Sequence, residues 1–214
     1  MIEKKNADPV EIEQIVIDSD RTTKRIGRVI SSLRSVAQKN ESRFERLDVN
    51  DIVLDVQKTV SRERPAASQC LRVEKLHDSR SFCVQGDDIL IQQALLNLLY
   101  NAFDAVLNES EPVVSLSVSS ELPGVDDSAD YESGDTAGSV FVSVKDNGVG
   151  ISPSVAENLF EPFSTTRQRS DGLGLGLTIA RQIAADHGGR LGFCTQDTGS
   201  HFWLSLQLVK ASNR

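Results

Sequence analysis

Apolar residues recur along this chain with two different periods, which divide it into predicted helices and strands. Residues 8–39 carry apolar side chains at alternating spacings of four and three, the pattern of a long helix with a heptad seam. Apolar faces with helical spacing predict four more helices, over residues 50–63, 88–107, 154–158 and a segment that ends near residue 186. Alternating apolar and polar residues predict seven strands, near residues 44–47, 71–76, 81–84, 113–118, 140–144, 190–195 and 201–208. The order mixes helices with hairpins, which favours an α+β fold over alternating βαβ units.

The N-terminal helix admits two interpretations. It begins at a cap formed by Asp8, Pro9 and Glu11, and two polar residues, Ser19 and Thr23, interrupt its seam. An amphipathic helix packed on its own domain would show this pattern, and so would one helix of a bundle. Its basic outer face is typical of solvent exposure.

The charge and polarity of the sequence argue against several classes of binding partner. The 214-residue sequence has 23 basic and 31 acidic residues, and its net charge of −8 argues against non-specific binding to nucleic acid or anionic membranes. Six acidic and no basic residues lie within residues 119–139, which we interpret as a solvated loop rather than an interaction tail. The longest apolar stretch, residues 89–107, contains amides and a carboxylate and is too polar to span a bilayer.

The cysteines indicate a reducing compartment. Cys70, Cys83 and Cys194 are odd in number and widely spaced, and the sequence has no CxxC pair. A disulfide framework or a zinc site would need closer or paired cysteines. We therefore expect three buried thiols in the cytoplasm.

The predicted helix 88–107 carries three polar side chains on one side. Asn97, Asn101 and Asp104 stand at positions i, i+4 and i+7 and therefore share a helix face. Buried amides on an apolar helix are costly unless they meet a partner. Amide and carboxylate oxygens are ligands that Mg²⁺ prefers, usually together with water and phosphate. The cluster indicates either a magnesium site or a polar stripe at a helix–sheet boundary.

Two glycine-rich segments follow along the chain. In DNGVGIS (146–152), Asp146 could accept a hydrogen bond from an amino group such as that of adenine, while Gly148 and Gly150 let the backbone approach a flat ligand. The same segment also fits a plain Asn-Gly turn. DGLGLGL (171–177) opens a helix, whose free N–H groups favour phosphate. Its spacing matches neither the Rossmann fingerprint nor a Walker loop.

In this order, the three segments resemble the N, G1 and G2 boxes of the histidine-kinase catalytic domain, a member of the ATPase superfamily shared with DNA gyrase and related chaperones. LFEPFSTTR (159–167) resembles the family's F box, and IAADHGGRL (183–191) resembles the segment that closes its last helix. The resemblance implies a two-layer α/β sandwich of the Bergerat type, with a mixed sheet, preceded by one long helix. It divides the chain into a second dimerisation helix (1–43), without the phosphoacceptor helix, and an ATP-binding catalytic domain (44–214).

The resemblance also implies ATP and Mg²⁺ as cofactors and gives roles to individual residues. Asn101 would bind the magnesium ion, and Asp146 would accept the adenine amino group. Phe160 and Phe163 would anchor a lid, in which Arg167 is either a phosphate contact or a solvated charge. The full set of expected cofactor-binding residues is Asn97, Asn101, Asp104, Asp146, Gly148, Gly150, Phe160, Phe163, Thr166, Arg167, Gly172, Gly174 and Gly176.

The lid itself would close over the phosphates. The resemblance implies that Gly172, Gly174 and Gly176 form its hinge. Residues 164–171 have no apolar anchor, so we expect this segment to be mobile when no phosphate is bound.

The resemblance implies transfer of the γ-phosphoryl group of ATP to a histidine in two-component signalling. Hydrolytic members of the superfamily resemble E-x-x-x-N in the first box, where the glutamate activates water. Here the residue four before Asn101 is Asn97, and an amide cannot take a proton from water as a carboxylate can. A hydrolytic ATPase and a non-catalytic dimerising or regulatory module are the alternatives.

The N-terminal helix carries no acceptor histidine. The sequence has three histidines, His77, His187 and His201, which we place in a turn, at a helix end and beside the last strand. We expect that the first bundle helix is absent from this chain, or that the chain phosphorylates a histidine of another one. The implied partners are a response-regulator receiver domain and, for the full-length protein, a second copy, with no nucleic acid and no membrane segment. The expected location is the cytoplasm, as a separate protein or as part of a membrane sensor.

Overall fold

The computed structural model describes residues 44–74, 81–123, 138–162, 164, 174–195 and 198–209. Several expectations from the sequence lie outside these residues. They concern the N-terminal helix, residues 124–137, the lid mobility, His77, Phe163, Thr166, Arg167 and Gly172.

Seven strands and five helices make up the described part of the chain. The strands are β1 (Glu45–Asp48), β2 (Leu71–Glu74), β3 (Cys83–Gly86), β4 (Val114–Ser119), β5 (Ser139–Asp146), β6 (Arg190–Thr195) and β7 (Ser200–Gln207). The helices are α1 (Val49–Glu63), α2 (Pro65–Ser68), α3 (Asp88–Ala105), α4 (Pro153–Ala156) and α5 (Gly176–Asp186).

The two long helices α1 and α3 begin where the sequence supplies a capping carboxylate. Asp48 accepts a hydrogen bond from the N–H of Asn50 at 2.9 Å, and Asp87 accepts one from the N–H of Leu90 at 3.2 Å. Each bond satisfies a backbone donor that the first turn of a helix leaves free. The first of these helices begins one residue before the predicted residue 50, and the second begins at the predicted residue 88.

Three local expectations were wrong. β3 begins at Cys83 rather than at residue 81, because its pairing with β1 sets Leu47 opposite Val84. His201 lies within β7 rather than beside it. Among the thiols only Cys194 is buried, whereas Cys70 and Cys83 are partly exposed; all three are free. The short helix α2 was not predicted; a proline occupies its first position.

Five strands form a mixed sheet in the order β2-β4-β5-β7-β6, and β1 pairs with β3 in a separate two-stranded sheet. β2 runs parallel to β4, and the other neighbours in the large sheet are antiparallel. The α+β class and the mixed sheet are confirmed. The pairing of β5 with β7 also sets Asp146 opposite Ser200.

The main core lies between one face of this sheet and the helices. Side chains such as Val142 and Leu204 from the sheet pack in one cluster with Leu99 of α3 and Ile183 of α5. The opposite face of the sheet holds a smaller cluster of Phe141, Cys194 and Trp203, against which Leu122 packs. Because successive strand residues point to opposite faces, Phe141 and Val142 belong to different clusters.

Candidate functional site

The last residue of β5, Asp146, carries a buried carboxylate and is only 3% exposed. Its Oδ1 accepts hydrogen bonds from the backbone N–H groups of Gly148 at 2.9 Å and Ser200 at 3.3 Å, and its Oδ2 accepts one from the Ser200 hydroxyl. A carboxylate offers about four acceptor positions. These donors therefore leave room for one more, such as an amino group on a planar ligand.

Two residues of this site, Gly199 and Ser200, were not predicted from the sequence. Ser200 reaches Asp146 from 54 residues away, because β5 and β7 pair in that register. Gly199 has a φ of +83°, and a Cβ on it would overlap the carbonyl oxygen of Asp146. The Gly-Ser pair before the last strand was the available signal, but nothing local says which strand that segment will join.

The loop after β5 packs against the end of α3 because Gly148 has no side chain. A Cβ on Gly148 would overlap the carbonyl oxygen of Ala105. Gly150 has a φ of +70°, which glycine adopts without strain, and a Cβ there would lie 3.2 Å from the carbonyl oxygen of Gly199. These close approaches fit the expected role of Gly148 and Gly150 in shaping a narrow pocket beside Asp146.

The two asparagines of α3 face the start of α5. Asn97 donates a hydrogen bond from Nδ2 to the carbonyl oxygen of Gly176 at 3.2 Å. The amide nitrogen of Asn101 lies 4.0 Å from the position that a Cβ on Gly176 would take. Gly174 has a φ of +65°, whereas Gly176 is the first residue of the helix. The first and third predicted segments therefore meet at the start of α5.

Asp104 lies on the same helix but contacts the end of α1. Arg64 places Nη1 3.4 Å from Asp104 Oδ1, and its guanidinium also covers the ring of Tyr100 at 4.2 Å from the centroid. The hydroxyl of Tyr100 in turn donates to Glu63 at 2.7 Å. These contacts tie α1 to α3. A cofactor-binding role for Asp104 stays a prediction.

Phe160 holds the segment after α4 against α5 and the sheet. Its carbonyl oxygen accepts a hydrogen bond from the Thr178 hydroxyl at 3.1 Å. Its ring meets Phe193 edge-on at 5.7 Å, and the Arg181 guanidinium lies over it at 5.3 Å. This position, just before the predicted lid, fits the expected anchoring role.

The chemistry of these groups fits a magnesium nucleotide. The carboxylate of Asp146 can accept a hydrogen bond from an amino group. The backbone N–H groups at the start of α5 suit phosphate oxygens, and the side-chain amide oxygens nearby suit a hard cation. Within the described ranges, no three His, Cys, Asp or Glu side chains gather as a metal site. A role for Asn101 in holding a cation stays a prediction.

Comparison with known proteins decides the family. A sequence model described as "Histidine kinase-, DNA gyrase B-, and HSP90-like ATPase" matches residues 86–210, which is more than half of the chain. The chain belongs to this ATPase family. The matched range contains Asn97, Asn101, Asp146 and Ser200. Residues 86–210 therefore belong to an ATP-binding domain of this family, and the resemblance stated from the motifs is confirmed.

Similar proteins are sensor kinases. The C4-dicarboxylate transport sensor protein DctB of Rhizobium meliloti is 29% identical over 185 residues, covering 86% of this chain and 27% of that protein. The sensor histidine kinase ZraS of Klebsiella oxytoca is 29% identical over 181 residues, covering 85% of this chain and 35% of its own length. This ATPase-family chain thus spans between a quarter and about a third of the length of these relatives.

A solved structure has the same fold. Full-length ShkA, in complex with AMPPNP, aligns with a TM-score of 0.68 at 24% identity, covering 99% of this chain and 41% of that one. The two-layer ATP-binding fold is therefore confirmed. Among the residues that the structure describes, no helix is both long enough and apolar enough to cross a membrane.

Proposed function

We propose that this chain is the catalytic part of a two-component sensor histidine kinase and transfers the γ-phosphoryl group of ATP to a histidine side chain. Membership of the ATPase family, similarity to sensor kinases and the convergence of three polar and glycine-rich segments support this proposal.

One observation favours phosphoryl transfer over hydrolysis. Asn97 occupies the position of the glutamate in the hydrolytic pattern, and its Nδ2 donates to the carbonyl oxygen of Gly176 at 3.2 Å. An ionised carboxylate has only acceptors and could not make this bond. Residue 97 therefore acts as a donor that holds α5, and it offers water no proton-accepting group.

Each site residue has a positional task in this proposal. Asp146 would orient the base by accepting its amino group, and Asn101 would hold the magnesium ion. The backbone N–H groups at the start of α5 favour anionic phosphate beside Gly176. Magnesium-ATP, when bound, supplies the phosphoryl group and neutralises its charge, while the protein supplies alignment.

Neither of the two described histidines suits the role of acceptor. His187 is 6% exposed, and its ring nitrogens are engaged by the carbonyl oxygen of Ile183 and the N–H of Asp87. His201 lies within β7, where burial and the nearby Lys145 cation lower the pKa of its imidazole. We therefore propose that the acceptor histidine lies on a separate helix, in the full-length protein or in a partner chain.

The proposal includes two protein partners. A second copy would associate through the helix predicted within residues 1–43, and the receiver domain of a response regulator would take the phosphoryl group from the acceptor histidine. The proposed boundary at residue 44 fits a core whose first members are Leu47 and Val49. The proposed location is the cytoplasm, as a separate protein or as part of a membrane sensor.

The test incubates the chain with magnesium and radiolabelled ATP, alone and with a helical fragment that carries an acceptor histidine. We expect the chain alone to bind ATP without incorporating acid-labile phosphate, and the fragment to become labelled. Labelling of the chain itself at His77, His187 or His201 would contradict the proposed acceptor. Release of inorganic phosphate without any labelling would identify a hydrolytic ATPase instead.

A further inference from the structure

We propose that His187 is a positioning residue that sets the register of α5 along α3, and so aligns the start of α5 with Asn97. This inference rests on the proposed function only in so far as one of its tests measures ATP binding. His187 ends α5 and contacts neither Asn97 nor Asn101, so it would act through the helix.

Two hydrogen bonds join α3 and α5 at opposite ends of α5. At its start, Asn97 Nδ2 donates to Gly176 O at 3.2 Å. At its end, the N–H of Asp87 donates to His187 Nε2 at 3.0 Å. The two helices run antiparallel, because Asp87 at the start of α3 is bonded to the end of α5, whereas Asn97, further along α3, is bonded to the start of α5. About ten residues separate the two bonds along each helix, which corresponds to roughly 15 Å along each helix axis.

Apolar packing determines which faces of α3 and α5 meet. The inward face of α5 contains the small residues Ala180 and Ala184 beside Ile179 and Ile183. Packing of side-chain ridges into grooves sets the angle between two helices only within about 15–20°. A hydrogen bond at each end has a required distance and direction, and therefore selects one position.

The ring of His187 makes this bond only in one tautomer. Nδ1 lies 2.7 Å from the carbonyl oxygen of Ile183, which can only accept, so Nδ1 carries the hydrogen. Nε2 is then the unprotonated nitrogen and accepts from Asp87. One neutral imidazole thus satisfies a carbonyl at the end of α5 and the N–H of the residue that caps α3.

The surroundings hold the ring in this orientation. A Cβ on Gly86 would lie 2.7 Å from His187 Cδ2, so only a glycine admits the ring beside β3. Phe44 stacks on the His187 ring, with ring centroids 4.9 Å apart and planes inclined by 22°. Since Phe44 directly follows the predicted dimerisation helix, the contact also joins that end of the domain to α5.

The test replaces His187 by phenylalanine, which keeps a ring for stacking but removes both nitrogens. The matched control is Gln182→Ala, which removes an exposed hydrogen bond to Asp186 on the same helix. We expect His187→Phe to weaken ATP binding about tenfold, through the unsatisfied N–H of Asp87 and a displaced α5, and the control to match the parent. We also expect the side-chain amide resonances of Asn97 to shift in His187→Phe without nucleotide.

Unchanged ATP affinity and unchanged Asn97 resonances in a folded His187→Phe variant would overturn the proposal. Should the variant not fold, nitrogen NMR of the parent decides. A neutral Nδ1–H tautomer at His187 supports the proposal, and an Nε2–H tautomer excludes the bond to Asp87 and overturns it. A parent that binds no ATP would count against the proposed function, while the Asn97 resonances and the tautomer still test the register.

Discussion

At the scale of single residues, the site is built around a charge that the fold has removed from water. A buried carboxylate is tolerable only when hydrogen bonds replace its lost hydration. The donors to Asp146 come from its own loop, through Gly148, and from β7, through Ser200. One side chain therefore joins the two walls of the pocket.

Replacing Asp146 by asparagine should weaken ATP binding by about tenfold or more. An asparagine that keeps its oxygen toward the N–H groups of Gly148 and Ser200 places its amide nitrogen where Oδ2 now accepts from the Ser200 hydroxyl, so acceptor positions for a ligand amino group are lost. Discrimination between ATP and GTP should shrink as well, because the partner of the adenine amino group is lost. Isothermal titration with both nucleotides measures these effects.

The variant Ser200→Ala is the matched comparison for that experiment. It removes one hydroxyl donor but leaves the carboxylate and both backbone donors in place. Its effect on ATP affinity should be clearly smaller than that of Asp146→Asn. If the parent protein bound ATP and GTP equally, the role given to Asp146 would be wrong.

At the scale of elements, the pocket depends on how closely a loop approaches a helix. The loop after β5 touches the last turn of α3 where Gly148 meets Ala105. The start of α5 is less crowded, since a Cβ on Gly176 would come no nearer than 3.8 Å to Asn97. Two glycines of similar appearance in the sequence therefore have different structural requirements.

A pair of alanine substitutions separates these requirements. Gly148→Ala should lower the free energy of unfolding by about 1–3 kcal/mol, because the new methyl group meets backbone that cannot move aside cheaply. Gly176→Ala should leave the unfolding free energy unchanged or slightly higher, since alanine favours the helix. Urea unfolding of both variants measures the difference. Equal destabilisation would show that Gly148 is not held against α3 as described.

At the scale of the whole molecule, the described residues build one main core that joins the sheet to the helices. Its main cluster extends from Leu47 to Leu208 and contains side chains from the sheet and from α1, α3 and α5. A core of this kind is the usual condition for independent folding. We therefore expect the helix predicted within residues 1–43 to serve association rather than core formation.

A chain that begins at residue 44 should therefore stay folded and bind ATP within about twofold of the 214-residue chain. It should also lose self-association that depends on the N-terminal helix. Titration calorimetry and sedimentation velocity measure the two properties. Loss of folding in the shortened chain would favour the other interpretation, in which that helix packs on its own domain.

Much of the fold could be predicted because its signals are local. Helix starts at Asp48 and Asp87 follow from capping chemistry, and apolar periodicity gave the type of nearly every described element. The polar positions Asn97 and Asn101 and the glycine-rich loops also stand out locally. Their order was specific enough to indicate the ATPase family, which the family comparison confirmed.

What the sequence alone determined is therefore the kind of each element, the places where helices begin, and the chemistry available along the chain. Only the tertiary structure decided which distant groups meet: Ser200 with Asp146 across 54 residues, and His187 with Asp87 across 100. It also gave Asp104 a partner in Arg64. The physical reason is that caps and periodicity act within a few residues, whereas strand register and helix contact are settled by burial and hydrogen bonding of the whole core at once.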